Sequence, residues 1–286
     1  MTTVDLSEYE TPGRSRGILD LFRRHYLLRL LVRKGITTRY RNSVLGWVWS
    51  YAKPAAQFLV YFLVMGLILQ LNRGIDNFAV YLFSGIVVVN LFNESFGNAT
   101  TSIVDNRALV KKIYLPRELF PIAAVAVAFV HFLPQVAILL FVCVLTGWIP
   151  SLLGVAAILV GMIVLLIFST GLGLFFGAIN VAYRDAQNFV EIIRLFATWA
   201  APVLYSWTMV QAAVPAWIFN LYMVSPLAVS VELFHYGFWF GTSDGSLPTP
   251  PNLVQDSAIA LAVSLVTLVI GQIVFRRFER RFAQDL

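Results

Sequence analysis

Residues 119–183 read LFPIAAVAVAFVHFLPQVAILLFVCVLTGWIPSLLGVAAILVGMIVLLIFSTGLGLFFGAINVAY, 65 consecutive positions without Asp, Glu, Lys or Arg. A transmembrane helix needs about 20 consecutive apolar residues to cross roughly 30 Å of hydrocarbon. The stretch therefore predicts two crossings, about 120–146 and 152–181, which are joined by the tight turn from Gly147 to Ser151.

The composition of the whole 286-residue chain agrees with this interpretation. Hydrophobic residues make up 59% and charged residues 13%, whereas a soluble domain has roughly 45–50% and about 25%. We therefore predict an all-α polytopic membrane protein. The single Cys143 excludes an intramolecular disulfide. The sequence has no G-x-x-x-x-G-K-[ST] phosphate loop, no H-E-x-x-H pair and no ligands at metal spacing, so neither a catalytic nor a metal site is expected.

Apolar runs along the rest of the chain extend the prediction to six spans, with Pro54 as a kink in the first. Their bounds are about 44–71, 78–99, 120–146, 152–181, 189–207 and 257–275. Residues 1–43 are then an N-terminal segment, 44–275 a single transmembrane domain and 276–286 a tail.

The basic residues predict the orientation of these spans. Twenty of the 21 Lys and Arg residues fall on one side, and only Arg73 falls on the other. Because basic residues concentrate in cytoplasmic loops, both termini are predicted to be cytoplasmic. This topology explains the net charge of +6, and nucleic acid is not expected as a partner.

Two segments outside the spans have amphipathic or aromatic patterns. Residues 16–34 predict a basic amphipathic helix in the cytoplasmic interface, unless they are only an orientation signal. Residues 208–256 are aromatic and are cut by Pro215 and Pro226, so residues 215–241 predict two short external re-entrant helices. Two further spans are the alternative for that region.

Few charged groups lie within the predicted spans. Glu94, Glu118 and Glu232 come close, but near span ends, and His131 is expected to be a packed, hydrogen-bonded residue. In the loop VDNRALVKKIYLPRELFP, residues 104–121, Asp105 is expected to cap a short helix of residues 105–113. One interpretation is that this helix binds a cytoplasmic partner. The alternative is that the segment is a solvated basic loop.

Aromatic residues recur on two predicted spans, and both sets are candidates for a path along which sugar rings slide. The alternative is that they are helix-packing surfaces or interfacial belts. The first set is Tyr40, Trp47, Tyr51, Phe58 and Phe62, and the second is Phe189, Phe196, Trp199 and Trp207.

Two motifs resemble a known family. The first is RYRNSVLGWVW at residues 39–49, followed by Pro54 and Val60-Tyr61, and the second is LVKK at 109–112 followed by LPRE at 115–118. With the span layout, they resemble the permease subunits of type-2 ABC exporters that move polysaccharides, including O-antigen, teichoic-acid and cell-wall galactan exporters.

The resemblance implies a homodimer in the bacterial inner (plasma) membrane, driven by two copies of a separate ATPase that binds ATP and Mg. This chain would bind no cofactor, and the substrate would be a polysaccharide on a polyprenyl pyrophosphate lipid. The tail after Phe275 leaves no room for a glycan-recognition domain, which is expected on the ATPase or nowhere.

The resemblance also assigns roles to residues of this sequence. ATPase coupling falls to Asp105, Arg107, Lys111, Lys112, Arg23 and Arg24. The substrate head group would approach Arg39, Arg41 and Lys53. The glycan would pass Trp47, Tyr51, Phe58, Phe62, Phe196, Trp199 and Trp207, and the external gate would hold Trp217, Phe219, Tyr222 and Phe234.

Three other functions stay open at the level of sequence. A permease of the same fold could move a drug or a small lipid. A membrane enzyme acting on polyprenyl lipids would need acidic or histidine clusters at one membrane face, which the scatter of Glu94, Glu232, Asp244 and His235 does not supply. A simple channel has no distinguishing signature.

Overall fold

The computed structural model describes residues 25–39, 44, 46–112, 115–243, 245 and 247–286, without the side chains of Trp47, Arg73, Ala283 and Asp285. Every regular element in this part of the chain is helical, which agrees with the predicted all-α class. The α-helices are α1 (His25–Arg39), α2 (Trp49–Tyr61), α3 (Phe78–Asp105), α4 (Arg107–Lys112), α5 (Leu119–Leu145), α6 (Leu152–Ala182), α7 (Ala186–Ala197), α8 (Trp207–Ala213), α9 (Ala216–Met223), α10 (Pro226–Phe234), α11 (Leu253–Glu279) and α12 (Phe282–Asp285).

Five helices among the described residues are long and apolar enough to cross a membrane. They are α2 with its π-helical continuation, which together cover Trp49–Ile68, and α3, α5, α6 and α11. The pair Ala216–Met223 and Pro226–Thr242 bends by 72° and raises the number to six if it is counted as one broken span. The predicted number of crossings and their orientation remain predictions.

Local sequence signals separate helices α5 and α6. Gly147 takes a left-handed conformation (φ 81°) just after α5, which glycine adopts without the steric penalty of a Cβ. The hydroxyl of Ser151 then accepts a hydrogen bond from the Gly154 amide at 2.9 Å and caps α6. The predicted turn between the third and fourth spans is therefore present.

Helix α1 lies beside α5, and none of its side chains is fully buried. The predicted amphipathic helix spans residues 16–34; its part up to residue 24 lies outside the described residues, and the described helix continues to Arg39. Contact with the bundle is close at Gly35, where an added Cβ would lie 2.8 Å from Cγ2 of Val127.

The predicted fifth span, residues 189–207, is not one helix in the structure. Helix α7 ends at Ala197, and residues 198–206 follow as turns. Pro202 has no N–H to donate to the carbonyl oxygen of Thr198, which weakens a helix at this position. The Tyr81 hydroxyl instead binds the carbonyl oxygens of Pro202 and Tyr205, each at 3.0 Å. Irregular backbone is tolerated at membrane depth where it is buried in protein, and Ala201, Val203 and Leu204 are buried.

Helix α3 packs against α5, α6, α7 and α10 and carries much of the main hydrophobic core. Helices α6 and α11 are in close contact at Gly171 and Gly271; an added Cβ at Gly171 would lie 2.6 Å from the Leu268 nitrogen, and one at Gly271 would overlap the Gly171 carbonyl oxygen. Small residues allow such close contact between membrane helices. Large apolar side chains are exposed on the outer faces of α5, α6 and α11, as expected for surfaces that face lipid.

Candidate functional site

The predicted coupling residues lie at the junction of α3 and α4. Asp105 is the last residue of α3, and Asn106 is a turn residue between α3 and α4. Asp105 therefore does not cap the short helix, contrary to the prediction. Helix α4 covers Arg107–Lys112, buries Val110 and exposes Arg107, Lys111 and Lys112. Arg23 and Arg24 lie outside the described residues. The junction thus presents a basic surface on a helix anchored by one apolar side chain.

Two of the three predicted head-group residues, Arg39 and Lys53, are among the described residues. Arg41 lies outside the described residues, and Lys53 is exposed on α2. Arg39, at the end of α1, forms an ion pair with Glu94 on α3. Its side chain is 39% exposed and that of Glu94 is 18% exposed, so the pair is partly shielded from solvent.

His131 on α5 completes a charged cluster with Arg39 and Glu94. Its Nδ1 atom lies 2.7 Å from Nη1 of Arg39 and 2.8 Å from Oε1 of Glu94. A protonated Nδ1 donates to the carboxylate, whereas an unprotonated Nδ1 accepts from the guanidinium. The cluster therefore joins three helices that are distant in sequence, and His131 is buried within it.

The cluster lies away from the helix ends. Glu94 is 11 residues from the end of α3 and His131 is 12 residues after the start of α5, or about 16 and 18 Å at about 1.5 Å per residue. The predicted second span ends at residue 99, which places Glu94 near a membrane face, and α3 continues beyond it to Asp105. Ionisable groups within membrane spans are costly and are candidates for function.

Arg194 on α7 extends the charged region. An added Cβ at Gly97 would lie 2.6 Å from its Nη1 atom, which places the guanidinium against α3 one turn from Glu94. Among the described residues, the buried Nε atom of Arg194 finds no hydrogen-bond partner. We call Arg39, Glu94, His131 and Arg194 the charged cluster. Sequence reasoning missed it because its members are separated by 37 to 63 positions.

The first predicted aromatic set packs against the bundle. Phe58 and Phe62 stack with ring centroids 5.6 Å apart, and Phe58 also meets Phe83 of α3 edge-on at 5.4 Å. Phe62 lies 6.3 Å from Phe78. Tyr51 is half-buried, and the side chain of Trp47 lies outside the described part. Helix packing, the alternative interpretation of this set, accounts for Phe58 and Phe62.

The second predicted set is divided. Phe196 and Trp199 are 60% and 50% exposed, and Phe189 is exposed beside them. Trp207 instead begins α8, is buried, and donates its indole hydrogen to the Pro248 carbonyl at 3.0 Å. Because residues 198–206 break the helix, these residues form no single stripe.

The predicted gate residues lie on α9 and α10. Trp217 is exposed, Phe219 is buried against Trp207, and Tyr222 is half-buried. Phe234 ends α10, all of whose side chains are buried. His235 follows it and stacks on Tyr81 at 3.8 Å between ring centroids. Only α9 therefore presents an aromatic surface outward.

The second sequence motif, LPRE at 115–118, has a structural role. Arg117 donates to the backbone carbonyl of Glu279 and lies 5.7 Å from the centre of the Phe282 ring. Glu118 is buried and accepts a hydrogen bond from Gln272 at 3.1 Å. The motif holds the end of α11 and helix α12 against the start of α5.

No group of three or more His, Cys, Asp or Glu side chains that could hold a metal ion occurs among the described residues. What the described chain presents is a multi-pass helical membrane protein with a charged cluster inside its bundle and a short basic helix, α4, at the end of α3. These are features of the membrane subunit of a transport system.

Comparison with known proteins identifies the transport family. Residues 26–239 match the ABC-2 type transporter family, and the chain belongs to it. Its members are transport permeases rather than enzymes, and they work with an ATPase subunit.

Individual relatives cover nearly the whole chain. The O-antigen export system permease protein RfbA of Klebsiella pneumoniae is 27% identical over 91% of this chain and 95% of its own length. RfbA of Myxococcus xanthus is 28% identical over 95% and 99%. The capsule polysaccharide export inner-membrane protein CtrC of Neisseria meningitidis is 23% identical over 91% and 93%.

Proposed function

We propose that this chain is the membrane subunit of an ATP-driven exporter that moves a lipid-linked polysaccharide, carried on polyprenyl pyrophosphate, from the cytoplasm to the outer face of a bacterial inner (plasma) membrane. The observation that carries the proposal is the similarity, over nearly the full length of both chains, to permeases named for O-antigen and capsule polysaccharide export.

The proposed complex contains two copies of this chain, with the pore between them, and two copies of an ATPase that binds ATP and Mg. Helix α4 would be received by the ATPase. Its exposed Lys111 and Lys112 and its buried Val110 support this role, because an anchored helix can transmit a displacement to the spans that flank it. Arg23 and Arg24 are proposed to contact the same subunit.

The proposed glycan path begins where the substrate leaves the cytoplasm. The pyrophosphate would approach Lys53 and Arg41, and Arg39 would share its charge between this group and Glu94. Phe196 and Trp199 support an aromatic path because they are exposed. Flat rings can contact the C–H faces of successive sugars without directional hydrogen bonds. Trp217 and Tyr222 on α9 would belong to the external gate.

The mass and composition of the gently solubilised native complex test this function. We expect two copies of this chain with two copies of a Walker-motif ATPase, and no ATP hydrolysis by this chain alone. A stable assembly without an ATPase, under conditions that preserve other ABC complexes, would contradict the proposal and favour a channel or a secondary carrier. A complete complex that transports only a drug or small lipid would contradict the proposed polysaccharide substrate but not the proposed ATP-driven exporter.

A further inference from the structure

A cavity of about 420 Å³ lies between α1, α3 and α5, and it shares only Arg39 with the residues named above for the proposed glycan path. Its volume falls in the range of roughly 300–1,000 Å³ that is typical of small-molecule sites. One wall consists of polar and charged side chains from α1 and α3. These are Lys34, Thr38, Arg39, Asn98, Thr101 and Asp105.

The charges of this wall are of both signs. Lys34 and Arg39 are cationic, Asp105 is a carboxylate, and Glu94 lies behind Arg39 as its ion-pair partner. A pyrophosphate, with two or more negative charges, would meet the carboxylates of Asp105 and Glu94 unfavourably. A group with one phosphate and one ammonium matches the cavity better, because each of its charges has an opposite partner.

The cationic side chains have donors left for such a ligand. Lys34 Nζ donates one hydrogen bond to Asn106 Oδ1 at 2.7 Å, and an ammonium group has three donors. Arg39 has five N–H donors, and among the described residues its contacts to Glu94 and His131 both involve Nη1. Both residues can therefore bind a phosphate without losing these contacts.

The other wall of the cavity is apolar. It is formed on the first turns of α5 by Phe120, Ala123, Ala124 and Val127. The cavity extends along α3 from Asp105 to Asn98, seven residues or about 10 Å. The headgroup layer on one side of a bilayer is roughly 5–8 Å thick, so the cavity is long enough for a lipid headgroup. Because the polar and apolar walls line the same cavity, a headgroup can contact the polar wall while acyl chains contact the apolar wall.

Helix α1 is only partly covered by the described chain at this position. None of its side chains is fully buried. Lys34 and Arg39 line the cavity in addition to their contacts with Asn106 and Glu94. A bound molecule would fill the space left between α1, α3 and α5.

We propose that this cavity holds the headgroup of a zwitterionic aminophospholipid from the cytoplasmic leaflet. Its phosphate lies between Lys34 and Arg39, its ammonium group lies against Asp105, and its acyl chains follow the apolar wall of α5. The inference uses the predicted orientation of the helices, but it does not depend on which substrate is exported or on the ATPase.

Lipid retention tests this proposal. The purified transporter, with any subunits that accompany it, is equilibrated with vesicles of equal parts phosphatidylethanolamine, phosphatidylcholine and phosphatidylglycerol, and the lipids that remain bound are measured by native mass spectrometry. We expect phosphatidylethanolamine to be retained at least about tenfold over the other two, because its ammonium group can donate hydrogen bonds to Asp105 and a quaternary ammonium group cannot. Equal retention of phosphatidylglycerol would overturn the proposal.

Charge variants identify the residues that bind. Asp105→Asn should abolish the preference for phosphatidylethanolamine over phosphatidylcholine, and Lys34→Gln should lower retention of both. The matched controls are Asp185→Asn and Arg184→Gln, which change exposed charges outside the cavity and should leave the lipid profile unchanged. A preference that survives Asp105→Asn would overturn the assignment.

A third variant changes the volume of the cavity and not its charge. Ala124→Phe fills the apolar wall and should remove the retained lipid from a transporter that still elutes as a single species. Competition with inorganic phosphate separates a lipid site from a phosphate site. Displacement of phosphatidylethanolamine by millimolar phosphate would overturn the lipid assignment, and retention supports it. An absent ATPase would contradict the proposed function without changing these lipid results.

Discussion

The guanidinium group of Arg194 on α7 lies against the bare backbone of Gly97 on α3, where an added Cβ would stand 2.6 Å from Nη1. Glu94 is three residues before Gly97 and therefore lies on the same side of α3. Helix α7 exposes Phe189 and Phe196 on its outer side, so Arg194 connects an aromatic, outward-facing helix to the charged cluster inside the bundle. We therefore expect a displacement of α7 to shift Arg194 against α3.

Gly97→Ala tests this connection. The added methyl group meets the end of a flexible side chain, so we expect the protein to fold and the guanidinium to be displaced from α3. Polysaccharide export should fall several-fold, whereas the melting temperature in detergent should change little, because a side chain that can move aside keeps the loss at the low end of the about 1–3 kcal/mol typical of overpacking. Gly74→Ala is the control, because no atom lies within 4 Å of the added Cβ there. Full export by Gly97→Ala would mean that Arg194 has no coupling role.

The ion pair between Arg39 and Glu94 can be measured with a double-mutant cycle. Arg39→Gln and Glu94→Gln each leave the remaining charge next to His131 without its former partner. We expect each single variant to lower stability by about 1–3 kcal/mol. The double variant should lose less than the sum, with a coupling energy of about 0.5–3 kcal/mol.

Unfolding in mild detergent, followed by intrinsic fluorescence, gives the four stabilities of this cycle. Additive single effects would show that the two side chains do not interact in the membrane-embedded protein. Lys53→Gln is a suitable control for loss of a positive charge, because Lys53 is exposed on α2.

The crossing of α6 and α11 predicts a strong effect on folding. A Cβ at Gly171 would lie 2.6 Å from the Leu268 nitrogen and 2.7 Å from the Thr267 carbonyl carbon, and backbone atoms cannot turn away as a side chain can. Gly171→Ala should therefore destabilise the protein by about 1–3 kcal/mol or more. The amount of folded protein in the membrane and its melting temperature measure this. Unchanged values would mean that the helices cross less closely than the structure has them.

The helical, membrane-spanning character of the chain could be predicted from its sequence because hydrophobicity alone determines it. Residues 120–146 and 152–181 were predicted as spans, and the helices cover Leu119–Leu145 and Leu152–Ala182. Local signals were sufficient there: an uncharged run, a glycine and a serine cap.

The charged cluster and the break in the predicted fifth span could not be predicted in the same way. Arg39, Glu94 and His131 meet only because α1, α3 and α5 pack together, and nothing local distinguishes a buried histidine that joins an ion pair from one that simply packs. The turns of residues 198–206 depend on hydrogen bonds from Tyr81, more than 100 positions away. Hydropathy does not contain these tertiary contacts.

Lys111 and Lys112 test the proposed coupling helix. Replacing both by Glu reverses two exposed charges on α4 and leaves the buried Val110 in place. We expect normal amounts of the permease in the membrane, but little export and little ATPase co-purification, because the docking surface becomes repulsive. Charge reversal at Arg184 and Arg277, which are also exposed, is the control. Unimpaired export by the Lys111→Glu, Lys112→Glu variant would remove α4 from the coupling role.

Substitutions of the exposed aromatic residues Phe196 and Trp199 test whether these rings form a glycan path or a packing surface. Phe196→Ala and Trp199→Ala remove large rings that are 60% and 50% exposed, so little packing is lost and stability should stay within about 0.5 kcal/mol of the parent. Export of long polysaccharide should fall about tenfold if each ring contacts successive sugars. The assay is surface polysaccharide measured per folded permease.

Two further substitutions make this last prediction specific. Phe141→Ala removes an equally exposed ring from α5 (64%), outside the proposed path, and should leave export unchanged. Phe58→Ala removes a ring that stacks on Phe62 and meets Phe83 edge-on, so it should lower stability as well as export. Equal export losses at Phe141 and Trp199 would indicate a general requirement for apolar surface in the bilayer. A loss confined to Phe196 and Trp199 would locate the sugar path on this side of the molecule.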